Sequence, residues 1–319
     1  MKKHIWRKTT AAALSAVMTM SSLPMLGSLT AGASKVPESI PISNEFYYQN
    51  ETLQPYGACF QAEELRNWTP DNDPDARYNQ SGVALRDRWM GPNVNPNASR
   101  DAKMYALAGT NARCNESASQ GGDGDFVYAF TNFQYVDIYD SWGGSSGDGP
   151  IAIPTPENID AAHRNGVPAT GTIFIPWGDS EFSNVFLEQL TEQDEQGNFI
   201  VADKLIEIAQ YYGFDGYMVN FESGSNAKFR DFFKYIQEKK PDGFTMAFYN
   251  GNGSLSSDSV QNWLQDGDTR VNDEWWLDMS WSGIDNSIAA VKENNRSPLI
   301  FMHHGKISLM RAEEEISAR

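Results

Sequence analysis

Two polar side chains stand two residues apart at the end of an apolar run, and their types suggest acid–base chemistry. The run Gly213–Glu222 reads GFDGYMVNFE and ends on Asn220 and Glu222. Residues two apart on a β-strand share a face, so Gly216, Met218, Asn220 and Glu222 line up if this run is a strand. Gly216 and Met218 are then interior residues, and the amide and the carboxyl lie at the carboxyl end of the strand.

One carboxyl beside a neutral amide differs from the two flanking carboxylates of most glycosidases. The pair suits a sugar that supplies its own nucleophile. A 2-acetamido group can attack the anomeric carbon through its carbonyl oxygen and form an oxazoline-type intermediate. The protein then needs one acid/base group, for which Glu222 is the candidate, and one group that orients and polarises the acetamide, for which Asn220 is the candidate.

The elements that must position this pair alternate between strand and helix after residue 125. A predicted helix separates each pair of successive predicted strands, which cover 126–130, 169–175, 214–222, 244–249, 275–281 and 298–302. Buried, non-alternating strands joined by helices indicate an α/β protein with a parallel sheet. Both an open doubly wound sheet and a (β/α)8 barrel have this pattern.

The residues that follow the strands favour the barrel. No Gly-rich phosphate loop follows any strand, which removes the usual ligand of the open sheet. Polar and aromatic residues gather there instead, as they do around a barrel active site. We therefore predict a (β/α)8 TIM-type barrel. Six predicted strands are two short of closure, so the barrel is expected to be incomplete at the C-terminus.

Aromatic residues near the strand ends are candidates for sugar binding, because flat apolar rings stack on sugar faces. The predicted substrate-binding residues are Trp177, Trp281 and Phe221. Trp275 and Trp276 are weaker candidates, and core packing is the alternative role for any one of these tryptophans.

The run GFDGYMVNFE resembles the catalytic strand of glycoside hydrolase family 85, the endo-β-N-acetylglucosaminidases that cut the chitobiose core of N-glycans. The resemblance extends from about Leu53 to about Pro298. Within this span, the other matching stretches are LQPYGACFQAEEL at 53–65 and residues 135–138, 162–167, 170–174 and 248–249. It implies that Asn220 orients the acetamide, that Glu222 is the general acid/base and that Tyr249 lies near the reaction centre. It further implies a retaining hydrolase that needs no cofactor and acts on N-linked glycans of glycoproteins.

Two alternatives stay open. The first is a chitinase of family 18, whose strand reads Asp-Gly-x-Asp-x-Asp-x-Glu. Asp215, Gly216 and Glu222 fit that pattern, but Met218 and Asn220 stand where aspartates belong. The second is a carbohydrate-binding barrel that is catalytically weak or inactive, against which the presence of both candidate catalytic side chains argues.

The N-terminal third of the chain differs from the rest in composition and in its lack of alternating strand and helix patterns. Residues 1–33 combine four basic residues, the apolar run AAALSAVMTM and the small residues of Ala31–Ala33, a pattern typical of a secretory signal peptide. We therefore predict secretion to the extracellular space. Residues 34–120 are polar and irregular and are expected to lie as a strap on the barrel. Residues 121–319 are the predicted catalytic barrel, truncated where the resemblance stops.

Composition excludes several classes of partner. The formal charge is −17, from 25 basic and 42 acidic residues, which argues against binding to nucleic acid. No stretch after the leader is long and apolar enough to insert in a membrane, and no obligate protein partner is predicted.

Cys59 and Cys114 leave a disulfide open as an alternative to two buried thiols. No metal site is predicted, because the adjacent His303 and His304 point to opposite sides of a strand.

Overall fold

A computed structural model describes residues 59–89, 91, 103–108, 130–143, 150–177, 180–278, 283–297 and 301–303. Its strands are β1 Cys59–Phe60, β2 Tyr105–Ala108, β3 Ile138–Ser141, β4 Ile151–Ala152, β5 Ala169–Ile175, β6 Gly216–Phe221, β7 Thr245–Tyr249, β8 Gln265–Asp266, β9 Thr269–Arg270, β10 Glu274–Leu277 and β11 Phe301–His303. Its α-helices are α1 Ala62–Arg66, α2 Pro156–Arg164, α3 Ser180–Leu190, α4 Ile200–Tyr212, α5 Phe229–Lys239, α6 Ser257–Trp263 and α7 Ile284–Glu293.

One large sheet carries the fold. Seven of its strands run parallel, in the order β2-β3-β5-β6-β7-β10-β11. Helices connect successive parallel strands from β5 onward, as parallel pairing requires. The short strands β1 and β4 form an antiparallel pair, and β4 also pairs antiparallel with β5. The predicted α/β class with a parallel sheet is confirmed.

The sheet does not close on itself within the described residues, since no pairing there joins β11 to β2. An open barrel-type sheet agrees with the predicted incomplete barrel.

The sheet begins earlier in the chain than predicted. β2 lies inside the stretch 34–120, which was expected to be irregular, and β3 follows it before the first predicted helix. Most of the predicted strand 126–130 lies outside the described residues, and Phe130 belongs to no regular element. Helix α3 was also not predicted.

Two layers of side chains flank the central strands. Alternate residues face the helices, where Phe248 stacks on Trp263 at 4.9 Å between ring centroids and meets Trp275 edge-on at 5.3 Å. The residues between them face the other side of the sheet, where Met218, Ala247 and Trp276 pack with side chains of β2 and β3. This alternation decides which residues can line a site.

Residues 59–89 pack across the ends of helices α2 and α4. The Asp73 carboxylate accepts hydrogen bonds from the Trp68 indole and the Tyr212 hydroxyl, both at 3.1 Å. The Ser81 N–H donates to the Tyr212 carbonyl at 2.9 Å. In the part of the chain described here, no helix is long and apolar enough to cross a membrane.

Candidate active site

Strand β6 is anchored where it begins. Helix α4 ends at Gly213, whose φ of 83° is the left-handed conformation that glycine adopts without a steric penalty. Two residues later, the Asp215 carboxylate accepts hydrogen bonds from His163 Nε2 and from the Ala169 N–H, both at 2.8 Å. Asp215 thus joins helix α2 to strands β5 and β6 and acts as a structural acceptor.

Asn220 and Glu222 meet at the other end of the strand. Asn220 is buried, with 1% of its surface exposed, and its Nδ2 donates to Glu222 Oε1 at 3.0 Å. The Oδ1 atom of Asn220 is buried and has no hydrogen-bond partner among the described residues. An unpaired buried amide oxygen is costly, so a ligand N–H at this position would satisfy it. Glu222 is exposed and open to a substrate.

Parallel register brings further side chains to the same face. Asn220 lies beside Phe174 of β5 and Tyr249 of β7, and Tyr249 lies beside Trp276 of β10. The row runs along the carboxyl ends of four neighbouring strands, where barrel enzymes place their active sites. The structure therefore brings the three predicted catalytic residues together.

Tyr249 is held by a residue that sequence reasoning did not single out. Its hydroxyl donates to Asp278 Oδ1 at 3.0 Å. Partial burial raises the pKa of Tyr249 well above its usual value, and the Asp278 carboxylate and the negative charge of Glu222 raise it further. The phenol therefore stays protonated at neutral pH. Asp278 lies two residues after Trp276, so strand alternation alone could have identified it.

A buried polar layer lies under this row. Asp140 accepts hydrogen bonds from the Thr170 hydroxyl at 2.7 Å and the Thr172 hydroxyl at 3.3 Å. Burial raises the pKa of Asp140 well above its usual value, although these hydrogen bonds oppose the rise. Burial likewise raises the pKa of Glu274, to about 7. Asp140 is fully buried and Glu274 is partly buried, whereas Glu222 is exposed.

The aromatic residues predicted to bind sugar lie in different environments in the structure. Phe221 packs on the helix side against Phe229 and Trp263, at 5.4 and 6.0 Å between centroids. It follows Asn220 on the strand and must face the opposite way, so it is corrected from a site residue to a packing residue. Trp177 lies just past the carboxyl end of β5 and is 73% exposed. Trp281 lies outside the described residues.

The described residues hold no group of three His, Cys, Asp or Glu side chains placed to bind a metal ion. His304 and Cys114 lie outside them, and Cys59 is buried. Trp275 and Trp276 are both buried within the fold.

The model of glycosyl hydrolase family 85 matches residues 110–304, which is more than half of the chain. The chain belongs to glycoside hydrolase family 85. The match includes strands β3 to β11 and therefore every described residue of the row.

Relatives within family 85 agree with this assignment. The glycoside hydrolase domain of Endo-D from Streptococcus pneumoniae R6 superposes with a TM-score of 0.68 and 31% identity, over 79% of this chain and 42% of that one. This match supports the predicted barrel-type fold. The cytosolic endo-beta-N-acetylglucosaminidases of Gallus gallus and Danio rerio are 29% and 27% identical over 57% and 59% of this chain. The chain spans about a quarter of the length of these two curated relatives.

The family 85 relatives contradict the predicted location. The curated proteins of Gallus gallus, Danio rerio, Mus musculus and Homo sapiens are named as cytosolic enzymes. This finding contradicts the prediction of a secreted protein with a signal peptide, which is therefore wrong. That prediction depended only on the charge and apolar pattern of residues 1–33, which lie outside the described residues.

Proposed function

We propose that this protein is an endo-β-N-acetylglucosaminidase that hydrolyses the β-1,4 bond in the chitobiose core of N-glycans. Membership of family 85 and the activity for which its relatives are named support the reaction class. The observation that carries the proposal is the Asn220–Glu222 pair at the carboxyl end of β6, with a buried amide oxygen that has no partner in the part of the chain that the structure describes.

In the proposed reaction the substrate's own acetamide is the nucleophile. Its carbonyl oxygen bonds to the anomeric carbon as the bond from that carbon to the leaving sugar oxygen breaks. Glu222 gives its proton to the leaving oxygen. The acetamide N–H donates to Asn220 Oδ1, which holds the carbonyl oxygen in line for attack.

Water completes the cycle. Glu222, now ionised, takes a proton from a water molecule that attacks the anomeric carbon and reopens the oxazolinium ring. Each attack inverts the anomeric carbon, so the product retains the β configuration. The exposed Glu222 carboxyl is reachable by both the leaving sugar and the water, while the buried Asn220 is held rigid by the strand.

The test uses the full chain and glycoproteins that carry high-mannose, hybrid or complex N-glycans. We expect release of a glycan with one N-acetylglucosamine at its reducing end, leaving one N-acetylglucosamine on the protein, as read by mass spectrometry. Glu222→Gln, which is nearly isosteric, should lose about 10²–10⁴-fold in rate because it cannot transfer a proton. Absence of cleavage of all three glycan classes by the wild-type chain would overturn the proposal, and glycan binding without cleavage would support a binding barrel instead.

A further inference from the structure

The Tyr249–Asp278 contact ties the reaction face of β7 to the end of β10. Tyr249 sits beside Asn220 in register, and its hydroxyl donates to Asp278 Oδ1 at 3.0 Å. The Asp278 backbone N–H donates to the Asn252 carbonyl at 3.0 Å, so the loop after β7 fixes the backbone of Asp278, while the Tyr249 hydroxyl holds its carboxylate. Asp278 is therefore a held group rather than a mobile surface side chain.

The direction of this hydrogen bond determines whether the phenol can donate a hydrogen bond to a substrate or only accept one. A phenol has one proton, and here that proton goes to Asp278. Toward the sugar, the phenol oxygen can then present only its lone pairs. A hydrogen bond from a phenol to a carboxylate is charge-assisted and increases the negative charge on the phenol oxygen.

That polarity matches the charge that develops during the proposed reaction. The acetamide is neutral in the bound substrate and becomes a cation as it closes to the oxazolinium ring. A neutral phenol whose oxygen carries this added partial negative charge stabilises the ring-closed state more than the substrate, which raises kcat rather than lowering KM.

We infer that Asp278 is a positioning residue. It keeps the O–H bond of Tyr249 directed away from the sugar, so that the lone pairs of the phenol oxygen face the oxazolinium cation and stabilise it. This inference rests on the proposed function, since it assigns a role within that reaction. It identifies the residue that directly follows β10 as part of the machinery although that residue need not touch the substrate.

The test compares Asp278→Asn, Tyr249→Phe and the double variant on one glycopeptide substrate. Asp278→Asn removes the charge and keeps the shape, and an amide can either donate to or accept from the phenol. We expect its kcat to fall about 10- to 100-fold, as for a charge-assisted hydrogen bond, with KM within about threefold of wild type. Because Asp278 acts through the hydroxyl, the double variant should be no slower than Tyr249→Phe.

Asp242→Asn is the matched control, because it makes the same charge change in the exposed turn before β7, at the other end of the sheet. It should leave kcat and KM unchanged. Thermal unfolding checks that each variant is folded, and Asp278→Ser replaces Asp278→Asn if the latter does not fold. A wild-type kcat in Asp278→Asn, or a double variant whose loss is the product of the two single losses, overturns the inference.

The two proposals fail in different ways. If the wild-type chain does not cleave the glycopeptide, the proposed function fails and this inference fails with it, and binding of a chitobiose thiazoline, which mimics the oxazoline, would then indicate a binding barrel. If the wild-type chain cleaves the glycopeptide and Asp278→Asn cleaves it equally fast, only the inference fails.

Discussion

Asn220 combines two features that are seldom found together on one side chain. It is almost fully buried, and one of its two polar ends is bonded to Glu222 while the other has no partner among the described residues. Burial fixes the amide, and the hydrogen bond to Glu222 fixes which end is the donor. The oxygen is thus left to receive an N–H from a ligand.

Asn220→Ala should separate ring formation from ring opening. With natural glycan, we expect a loss of about 10²–10³-fold, comparable to removing one oriented polar group from a transition state. With a preformed sugar oxazoline as donor, the loss should be much smaller, because that donor has already passed the step in which the acetamide must be aimed. The measurement is the ratio of the two rates in the variant relative to wild type. An equal loss with both donors would show that Asn220 does not clamp the acetamide.

At the scale of the element, strand β6 depends on close contact with β7. Gly216 has φ of +131°, and a Cβ placed there would lie 2.0 Å from the Thr245 carbonyl oxygen. Both the backbone conformation and the space exclude a side chain. The glycine therefore sets how closely the two strands approach, four residues before Asn220.

Gly216→Ala should destabilise the fold by at least about 3 kcal/mol, because strain in φ adds to a backbone collision. Gly197→Ala is the matched control: its φ is +86°, but no atom lies within 4 Å of the added Cβ, so only the strain of about 1–2 kcal/mol applies. Urea denaturation of both variants gives the comparison. Equal costs at the two positions would mean that β6 can shift away from β7.

His163 links the end of helix α2 to the start of β6. Its Nε2 lies 2.8 Å from Asp215 Oδ2 and its Nδ1 lies 2.7 Å from the Val83 carbonyl oxygen. Both neighbours are acceptors, so the doubly protonated ring fits best. Burial alone would lower the pKa of His163, but the hydrogen bond and charge of Asp215 outweigh it, with help from Val83 and Asp160, and the pKa is raised.

A raised folded-state pKa stabilises the protein below the unfolded value of about 6.5, and the stabilisation is lost as pH rises through the folded-state pKa. His163→Gln should therefore reduce the free energy of unfolding more at pH 6 than at pH 9. Urea denaturation of wild type and variant at both values checks this. The opposite order would mean that the neutral ring is the form held in the folded protein.

Strands β5, β6 and β7 were predictable because each is a largely apolar run of five to seven residues. A glycine, a proline or a polar turn precedes each run and marks its start. β2 and β3 were not, because each has four residues and lies in a polar stretch with no periodicity long enough to detect. The misassignment of Phe221 was avoidable, since alternation from Asn220 already places it on the opposite face.

At the scale of the whole molecule, the excess of acidic residues opposes folding. The formal charge at pH 7 is −17, and compaction brings these charges together. Local ion pairs offset only part of this repulsion. Lys240 and Asp273 form one whose side chains are 15% and 13% exposed, so salt screens it little, whereas the exposed charges are screened over about 8–10 Å at moderate ionic strength.

Salt should therefore stabilise this protein at neutral pH. Between 10 and 300 mM NaCl at pH 7.5, we expect Tm to rise by about 2–5 °C, because long-range repulsion is screened while the buried pairs persist. NaCl is used because sulfate would strengthen apolar burial for a separate reason. The control is the same titration near the isoelectric point of about 4.6, where net repulsion vanishes and the rise should disappear. An equal rise at both pH values would trace the effect to hydration of apolar surface and not to charge.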